Sequence, residues 1–303
     1  MISLIIGGAG FIGSTLCRSL LDKGHHVICI DNLSTGSFDN IKDIKSKNFV
    51  FRQMDVLDIS IHNITANLNY VYHLACPASP IKYQSDAINT LNICFNGTQN
   101  VLELVRHTKA RLIFTSTSEV YGDPLESPQK ETYLGNVNCI GARACYVEGK
   151  RVAESLIISY GKQHAVNYGI ARIFNTYGPN MSVTDGRVIS TFLAQAKSGM
   201  PLTVHGNGSQ TRSFCYVTDL VRGLILLAES KESGPLNLGN PEEITILKLC
   251  HLVNEMTQNP SPPIFLDTPE DDPRRRCPDI GKAGITLGWY PSIDLKAGIT
   301  KLL

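Results

Sequence analysis

Apolar and polar positions along the chain follow two periods. Short apolar runs rich in β-branched and aromatic residues read as buried strands: ISLIIG, HVICID, FVFRQMD, YVYHLA and RLIFTST. Between and after them the spacing becomes helical, from about Ile12 to Lys23, from about Asp86 to His107 and from about Tyr146 to Gln163, and NYGIARIF adds a further strand. This β-α-β order predicts an α/β fold, a doubly wound parallel sheet covered by helices on both faces. Beyond Phe174 the texture shifts to loops rich in Gly, Pro and Asn, with shorter elements such as VTDLVRGLILLAES and TILKLCHLVNEM. Two regions are therefore expected. Residues 1–174 form the main sheet, and 175–303 form mainly a smaller C-terminal substrate-binding region, from which the chain can cross back to the sheet.

Composition narrows what the fold can do. The 303 residues are 43% hydrophobic and 18% charged, with a formal net charge of +1, so no long-range field favours nucleic acid or an anionic membrane. Any bound anion needs a local site. Nine cysteines, at 17, 29, 76, 94, 139, 145, 215, 250 and 277, show no C-x-x-C pair and sit mostly in apolar segments, which suits reduced core thiols and no metal site. The first strand starts at Ile2, and no apolar run approaches a membrane span, so a cytoplasmic protein is expected.

The candidate chemistry begins where the first strand ends. IIGGAGFIG carries Gly7, Gly10 and Gly13 at three-residue spacing and opens a helix, which suits close approach of backbone N–H groups to a pyrophosphate. An unliganded β-α turn gives the same pattern, but the second strand ends at Asp31, placed to accept hydrogen bonds from both adenosine ribose hydroxyls. A carboxylate there repels a 2′-phosphate, so NAD is favoured over NADP. Asp55, after FRQM, either reaches the adenine edge or caps the following turn. In YVEGK, Tyr146 and Lys150 stand four residues apart in a helical period and share a face. A free tyrosine is ionised to only about one part in a thousand at neutral pH. A lysine ammonium about 4 Å from the phenolate can contribute roughly 4 kcal/mol toward making it a usable base.

Together these residues resemble the short-chain dehydrogenase/reductase superfamily, in its extended, Rossmann-type form acting on nucleotide sugars. The stretches GGAGFIGS, DNLSTG, HLACPASP, STSEVYGDP, RACYVEGKRVAE, ARIFNTYGP, DGRVIS, PLTVHGNGSQTRSFCYVTDLV, NLGNPEE and DDPRRRCPDI are similar to the UDP-glucuronate decarboxylase (UDP-xylose synthase) family along nearly the whole chain. The resemblance implies a catalytic set of Thr117, Ser118, Glu119, Tyr146, Lys150 and Arg276, the last facing a substrate carboxylate; without it, RRR reads as a solvated basic turn. For NAD it implies Gly7, Gly10, Phe11, Ile12, Gly13, Asp31, Asn32, Thr35, Gly36, Asp55, Val56 and Leu74 together with Tyr146 and Lys150, and for the nucleotide sugar Ala78, Tyr83, Asn175, Arg187, Arg212, Tyr216 and Arg276. The sugar-nucleotide 4,6-dehydratases carry Thr-Asp-Glu where this chain has Thr117, Ser118 and Glu119. A serine is too weak an acid to expel water, whereas decarboxylation needs no such acid.

The chain also departs from the family pattern. TLKTN becomes TLNIC, so a Lys is replaced by Asn92 and a Thr by Ile93, and GPRMH becomes GPNMS, with Asn180 and Ser182. The expected partner is UDP-glucuronate, and the family implies a homodimer through the helices near Asp86–His107 and Tyr146–Gln163. Competing readings are a nucleotide-sugar 4-epimerase, an oxidative decarboxylase that releases the 4-keto pentose, and a non-catalytic NAD-binding sensor.

Overall fold

The computed structural model describes residues 1–268 and 274–303; the first three residues of DDPRRRCPDI lie outside the described residues. The first half runs β1 (Ile2–Ile6), α1 (Phe11–Asp22), β2 (His26–Asp31), β3 (Phe49–Gln53), β4 (Tyr70–His73), α2 (Pro80–Ser85), α3 (Ala87–Asn92), α4 (Thr98–Thr108), β5 (Arg111–Thr117), α5 (Ala144–His164) and β6 (Tyr168–Ile173). It continues through β7 (Thr176–Tyr177), α6 (Val188–Lys197), β8 (Thr203–His205), β9 (Thr211–Ser213), β10 (Cys215–Tyr216), α7 (Val217–Glu229), β11 (Leu236–Leu238), β12 (Glu243–Thr245) and α8 (Ile246–Thr257). The last elements are β13 (Ile264–Leu266), β14 (Arg275–Arg276), α9 (Gly281–Leu287) and α10 (Leu295–Thr300).

Among the described residues, seven strands form one parallel sheet in the order β11-β6-β5-β4-β1-β2-β3. The order reverses direction between β1 and β4, the topological switch point at which open α/β sheets bind ligands beyond their strand ends. β5 lies inside the sheet with all seven residues buried, which explains the apolar run Leu112–Phe114 within it. Two apolar layers flank the sheet: Leu16, Leu20, Leu220 and Leu224 belong to one, and Val101, Leu104, Val105 and Ile157 to the other. Helix α7 and strand β11 come from beyond Phe174, yet α7 packs on α1, β5 and β6, and β11 forms the sheet edge beside β6.

The predicted helix from Asp86 to His107 is one continuous rod with an irregularity. Asp86 caps it by accepting a hydrogen bond from the Asn89 amide at 3.1 Å, and a π-helical turn occupies Ile93–Gly97 between α3 and α4. That turn begins in the TLNIC stretch, at Ile93 and Cys94, and runs past it. A small sheet of order β12-β9-β14 stands over the strand ends, and the parallel pairing of β14 with β9 sets Arg276 opposite Arg212. Alternation along β14 then separates two arginines. Arg275 is turned outward onto Glu243 at 2.5 Å, while Arg276 is turned inward and buried.

Candidate active site

A cavity of about 620 Å³ opens at the C-terminal ends of the central strands. Its floor is the β1-α1 turn. Gly7 sits at φ +86°, and a Cβ on it would lie 2.8 Å from the Ala75 amide nitrogen; a Cβ on Gly13 would lie 2.1 Å from the Gly7 carbonyl oxygen. Only glycine fits this packing of turn, helix and neighbouring strand. Helix α1 is preceded by Gly10 at its N-cap, with no side chain capping its free N–H groups, which leaves the helix N-terminus to a ligand.

Asp31, at the end of β2, accepts hydrogen bonds from the amides of Ala9 at 2.9 Å and Leu33 at 2.8 Å. Burial pushes its carboxyl up from the usual value, and these amides partly counter it. Gly36 lies against the same carboxylate, 2.9 Å from either oxygen for an added Cβ. Phe11, Ile12, Asn32, Thr35, Val56 and Leu74 line the cavity around this floor. Asp55 lies outside the lining: it caps the turn at Val56–Asp58 through the Leu57 amide at 2.9 Å and accepts from the Asn32 side chain at 2.6 Å. The residues of this end fit a dinucleotide, with an uncapped helix N-terminus for the phosphates and a buried acceptor for the ribose.

At the other end β5 delivers Thr117, Ser118 and Glu119, and α5 delivers Tyr146 and Lys150. The hydroxyls of TSTS take different partners. Thr115 donates to the His73 carbonyl at 3.1 Å and Ser116 to Glu154 at 2.5 Å, while Thr117 accepts from the Glu119 amide at 3.2 Å and hydrogen-bonds Tyr146. Burial pushes the Tyr146 phenol well above its ordinary value, and the Cys76 and Glu119 charges add to the rise, opposed by the Thr117 hydroxyl and Arg187. The neighbouring ammonium does not hydrogen-bond this phenol. Lys150 Nζ donates to the Thr115 carbonyl at 2.9 Å and lies 6.0 Å from the centre of the Tyr146 ring, because Phe114 and the strand backbone hold it. Tyr83 is outside the lining but stacks on Tyr146, with centroids 4.9 Å apart and planes 4° from parallel.

Glu119 gathers arginines. Its carboxylate meets Arg276 Nη1 at 2.9 Å and Arg143 Nε at 3.7 Å. Burial alone raises this carboxyl, but the charges of Arg276, Arg143 and Arg212 outweigh it and hold it below the usual carboxylate value. Arg276 lines the cavity with only 5% of its surface exposed, and its Nε and Nη2 are buried with no hydrogen-bond partner. Asn175 Nδ2, also at the cavity, is likewise buried and unpaired. Buried donors in this state cost free energy that a ligand acceptor removes on binding.

Ala78 and Arg187 meet on the rim, where Arg187 Nη2 donates to the Ala78 carbonyl at 3.0 Å. Arg212 is buried beside the lining rather than in it, and Tyr216 is packed in the core edge-on to Tyr177, centroids 5.4 Å apart. Arg143, not singled out from the sequence, donates to the Tyr83 hydroxyl at 3.1 Å while facing Glu119. Its only sequence signal is its place in RACYVEGK, three residues before Tyr146.

The glycine turn, Asp31 and the Tyr146/Lys150 face thus stand around one cavity, and residues 3–239 match the NAD dependent epimerase/dehydratase family. The chain belongs to that family. Among curated relatives it is 50% identical over 299 residues to UDP-glucuronic acid decarboxylase 5 of Arabidopsis thaliana, covering 98% of this chain and 86% of the relative. It is 48% identical over 301 residues to UDP-glucuronic acid decarboxylase 1 of Danio rerio, covering 99% and 71%. Among solved structures, UDP-glucuronic acid 4-epimerase from Bacillus cereus, in complex with UDP-glucuronic acid and NAD, superposes with a TM-score of 0.91 at 28% identity, covering 99% of this chain and 97% of that one. UDP-glucose 4-epimerase from Thermotoga maritima gives 0.92 at 27%, with 99% and 97% coverage. The cofactor of the family is NAD, in keeping with the acidic ribose position. No helix among the described residues is long and apolar enough to cross a membrane.

Proposed function

We propose that this protein is an NAD-dependent decarboxylase that converts UDP-glucuronate to UDP-xylose and carbon dioxide through a 4-keto intermediate. One observation carries the reading: Arg276 turns a buried guanidinium with two unpaired nitrogens into the cavity beside Ser118 and Glu119. A planar fork of donors suits a carboxylate, and a neutral sugar leaves it unsatisfied. The curated decarboxylase relatives at about half identity support the same substrate.

The residues at the glycine turn, with Asp31, hold the cofactor, and Asn175, Arg187 and Arg212 are assigned to the nucleotide sugar. NAD held there would supply reversible hydride acceptance at the sugar C4. Tyr146 Oη takes the proton of the 4-hydroxyl, with the Thr117 hydroxyl hydrogen-bonded to the phenol and Lys150 supplying positive charge from beneath the ring. Tyr83, stacked on that ring and tied to Arg143, fixes its plane. Once C4 is a ketone, the C6 carboxylate is β to it. The C5–C6 bond breaks, carbon dioxide leaves, and the electron pair settles on the C4 oxygen as an enolate that Thr117 and Tyr146 stabilise. Glu119, ionised among arginines, orients Arg276, and Ser118 together with this pair assists the return of a proton to C5.

The division of labour at Phe174 belongs to the same proposal and is functional rather than topological, since α7 and β11 lie on the sheet. So does a homodimer, supported by the exposed apolar side chains of Ile88 and Leu91 on α3, Phe95 on the turn after it and Val152 on α5. Nine free thiols suit a reducing, cytoplasmic setting. The test is incubation of the purified protein with UDP-glucuronate and NAD, with products resolved by mass. Loss of carbon dioxide without accumulation of NADH is expected; a product of unchanged mass, or stoichiometric NADH, overturns the reading in favour of epimerisation or of release of the 4-keto pentose.

A further inference from the structure

Two thiols meet behind the catalytic face. Cys76, in the loop after β4, lines the cavity, and its Sγ lies 3.3 Å from Sγ of Cys94 in the π-helical turn Ile93–Gly97. This is hydrogen-bond contact between two reduced sulfurs, not a bond of about 2.05 Å. The second thiol belongs to the departure from the family pattern, since TLKTN has no sulfur at the position of Cys94 in TLNIC. Cys94 also abuts the catalytic helix: a Cβ on Gly149, the residue before Lys150, would lie 2.9 Å from both its Cβ and its Sγ.

We infer that Cys76 and Cys94 form a reversible disulfide on exposure to a peroxide, and that this bond closes down the active site. Cys76 is the thiol that the cavity exposes. Its sulfur attacks the O–O bond of the peroxide, giving a sulfenic acid and, for hydrogen peroxide, one water that carries off the thiol proton. Cys94 sulfur then attacks the sulfenic sulfur; the S–S bond forms, the S–O bond breaks, and a second water leaves with the Cys94 proton. Two thiols are oxidised and one peroxide is reduced. The hydrogen bond between them lowers the Cys94 thiol below its ordinary value, against the opposing effect of burial, and together with burial raises Cys76 well above its own; Cys94 is thus suited to the second step, and Cys76 takes the first because the cavity admits the peroxide to it. The π-helical turn accommodates the needed closure, because its ladder is already out of α register. Bonding draws the Cys76 loop toward α3 and α5, and so displaces the wall shared by the cofactor and Tyr146. A displacement on the order of 1 Å there costs roughly a hundredfold in rate.

The bond itself is independent of the substrate, while its effect on turnover rests on the decarboxylase reading. The experiment treats the NAD-loaded protein with hydrogen peroxide, blocks remaining thiols, and follows intact mass, a peptide map and turnover of UDP-glucuronate, before and after dithiothreitol. We expect loss of two hydrogens, a Cys76–Cys94 cross-linked peptide, and turnover that falls and is restored by the reductant. Cys94→Ser, and independently Cys94→Asn, should turn over before treatment and resist it. A cross-link mapping to Cys145 instead, separate sulfinic acids at 76 and 94, or inactivation that persists in both variants overturns the inference. The mass and map read the disulfide even if another substrate is the true one.

Discussion

At the nucleotide end of the cleft the polar side chains Asp31, Asn32 and Asp55 already have partners: Asp31 holds two backbone amides, Asn32 holds Asp55, and the glycine turn packs against Ala75 with no room for a side chain. At the sugar end the reverse holds, with Arg276 and Asn175 burying unpaired nitrogens around an ionised Glu119. The first end is shaped by backbone and is preformed, with only the uncapped N–H groups of the α1 N-terminus left to a ligand. The second is built from side chains brought together by tertiary structure, and an acceptor must complete it. Generic recognition of a cofactor can be rigid and preformed, whereas discrimination between sugars is strongest where a missing acceptor leaves buried donors unpaired.

Substitutions separate the two ends. The largest effect is expected for Tyr146→Phe, which removes the proton acceptor and little volume: turnover should fall by about 10²–10⁴-fold while NAD and UDP-sugar binding persist. Substantial residual turnover in a single-turnover assay would show that another base serves. Next comes Glu119→Gln, which leaves Arg276 without its carboxylate and should cost ~3 kcal/mol of stability at neutral pH, read by denaturant unfolding. Because the Glu119 carboxyl is depressed in the fold, its stabilisation is present above the unfolded carboxylate value, about 4.3, and is lost as pH falls through the folded value. The gap between native and Glu119→Gln proteins should therefore close in acid, and a pH-independent gap would contradict the pairing. The smallest effect belongs to the preformed end. Asp31→Ala should weaken NAD by about tenfold and narrow the preference over NADP in a titration, leaving the affinity for UDP-glucuronate unchanged.

The same contrast explains what the sequence could reveal. The glycine turn, Asp31 and the Tyr146/Lys150 spacing are local features, set by a β-α turn and a helical period, and all were legible along the chain. The arginine cluster was not legible from spacing: Arg276 looks like a solvated turn until β14 pairs with β9 and alternation turns it inward. Arg143 acquires its place only when Glu119 and Tyr83 arrive from elsewhere in the fold. Lys150 kept its helix face but found the Thr115 carbonyl rather than the phenol, a choice that depends on the end of β5. The π-helical turn at Ile93–Gly97 is invisible to a periodicity that treats Asp86–His107 as one helix, and the return of β11 to the sheet depends on a strand of three residues.

The central claim is that Arg276 waits for a carboxylate, and two ligands against two proteins test it most directly. Binding of UDP-glucuronate and of UDP-glucose is measured by calorimetry on the NAD-loaded native protein and on Arg276→Ala. Loss of a charge-assisted contact of roughly 1.5–3 kcal/mol should weaken UDP-glucuronate by about ten- to a hundredfold, while UDP-glucose, lacking the carboxylate, binds both proteins about equally. Equal weakening of the two ligands would contradict the account.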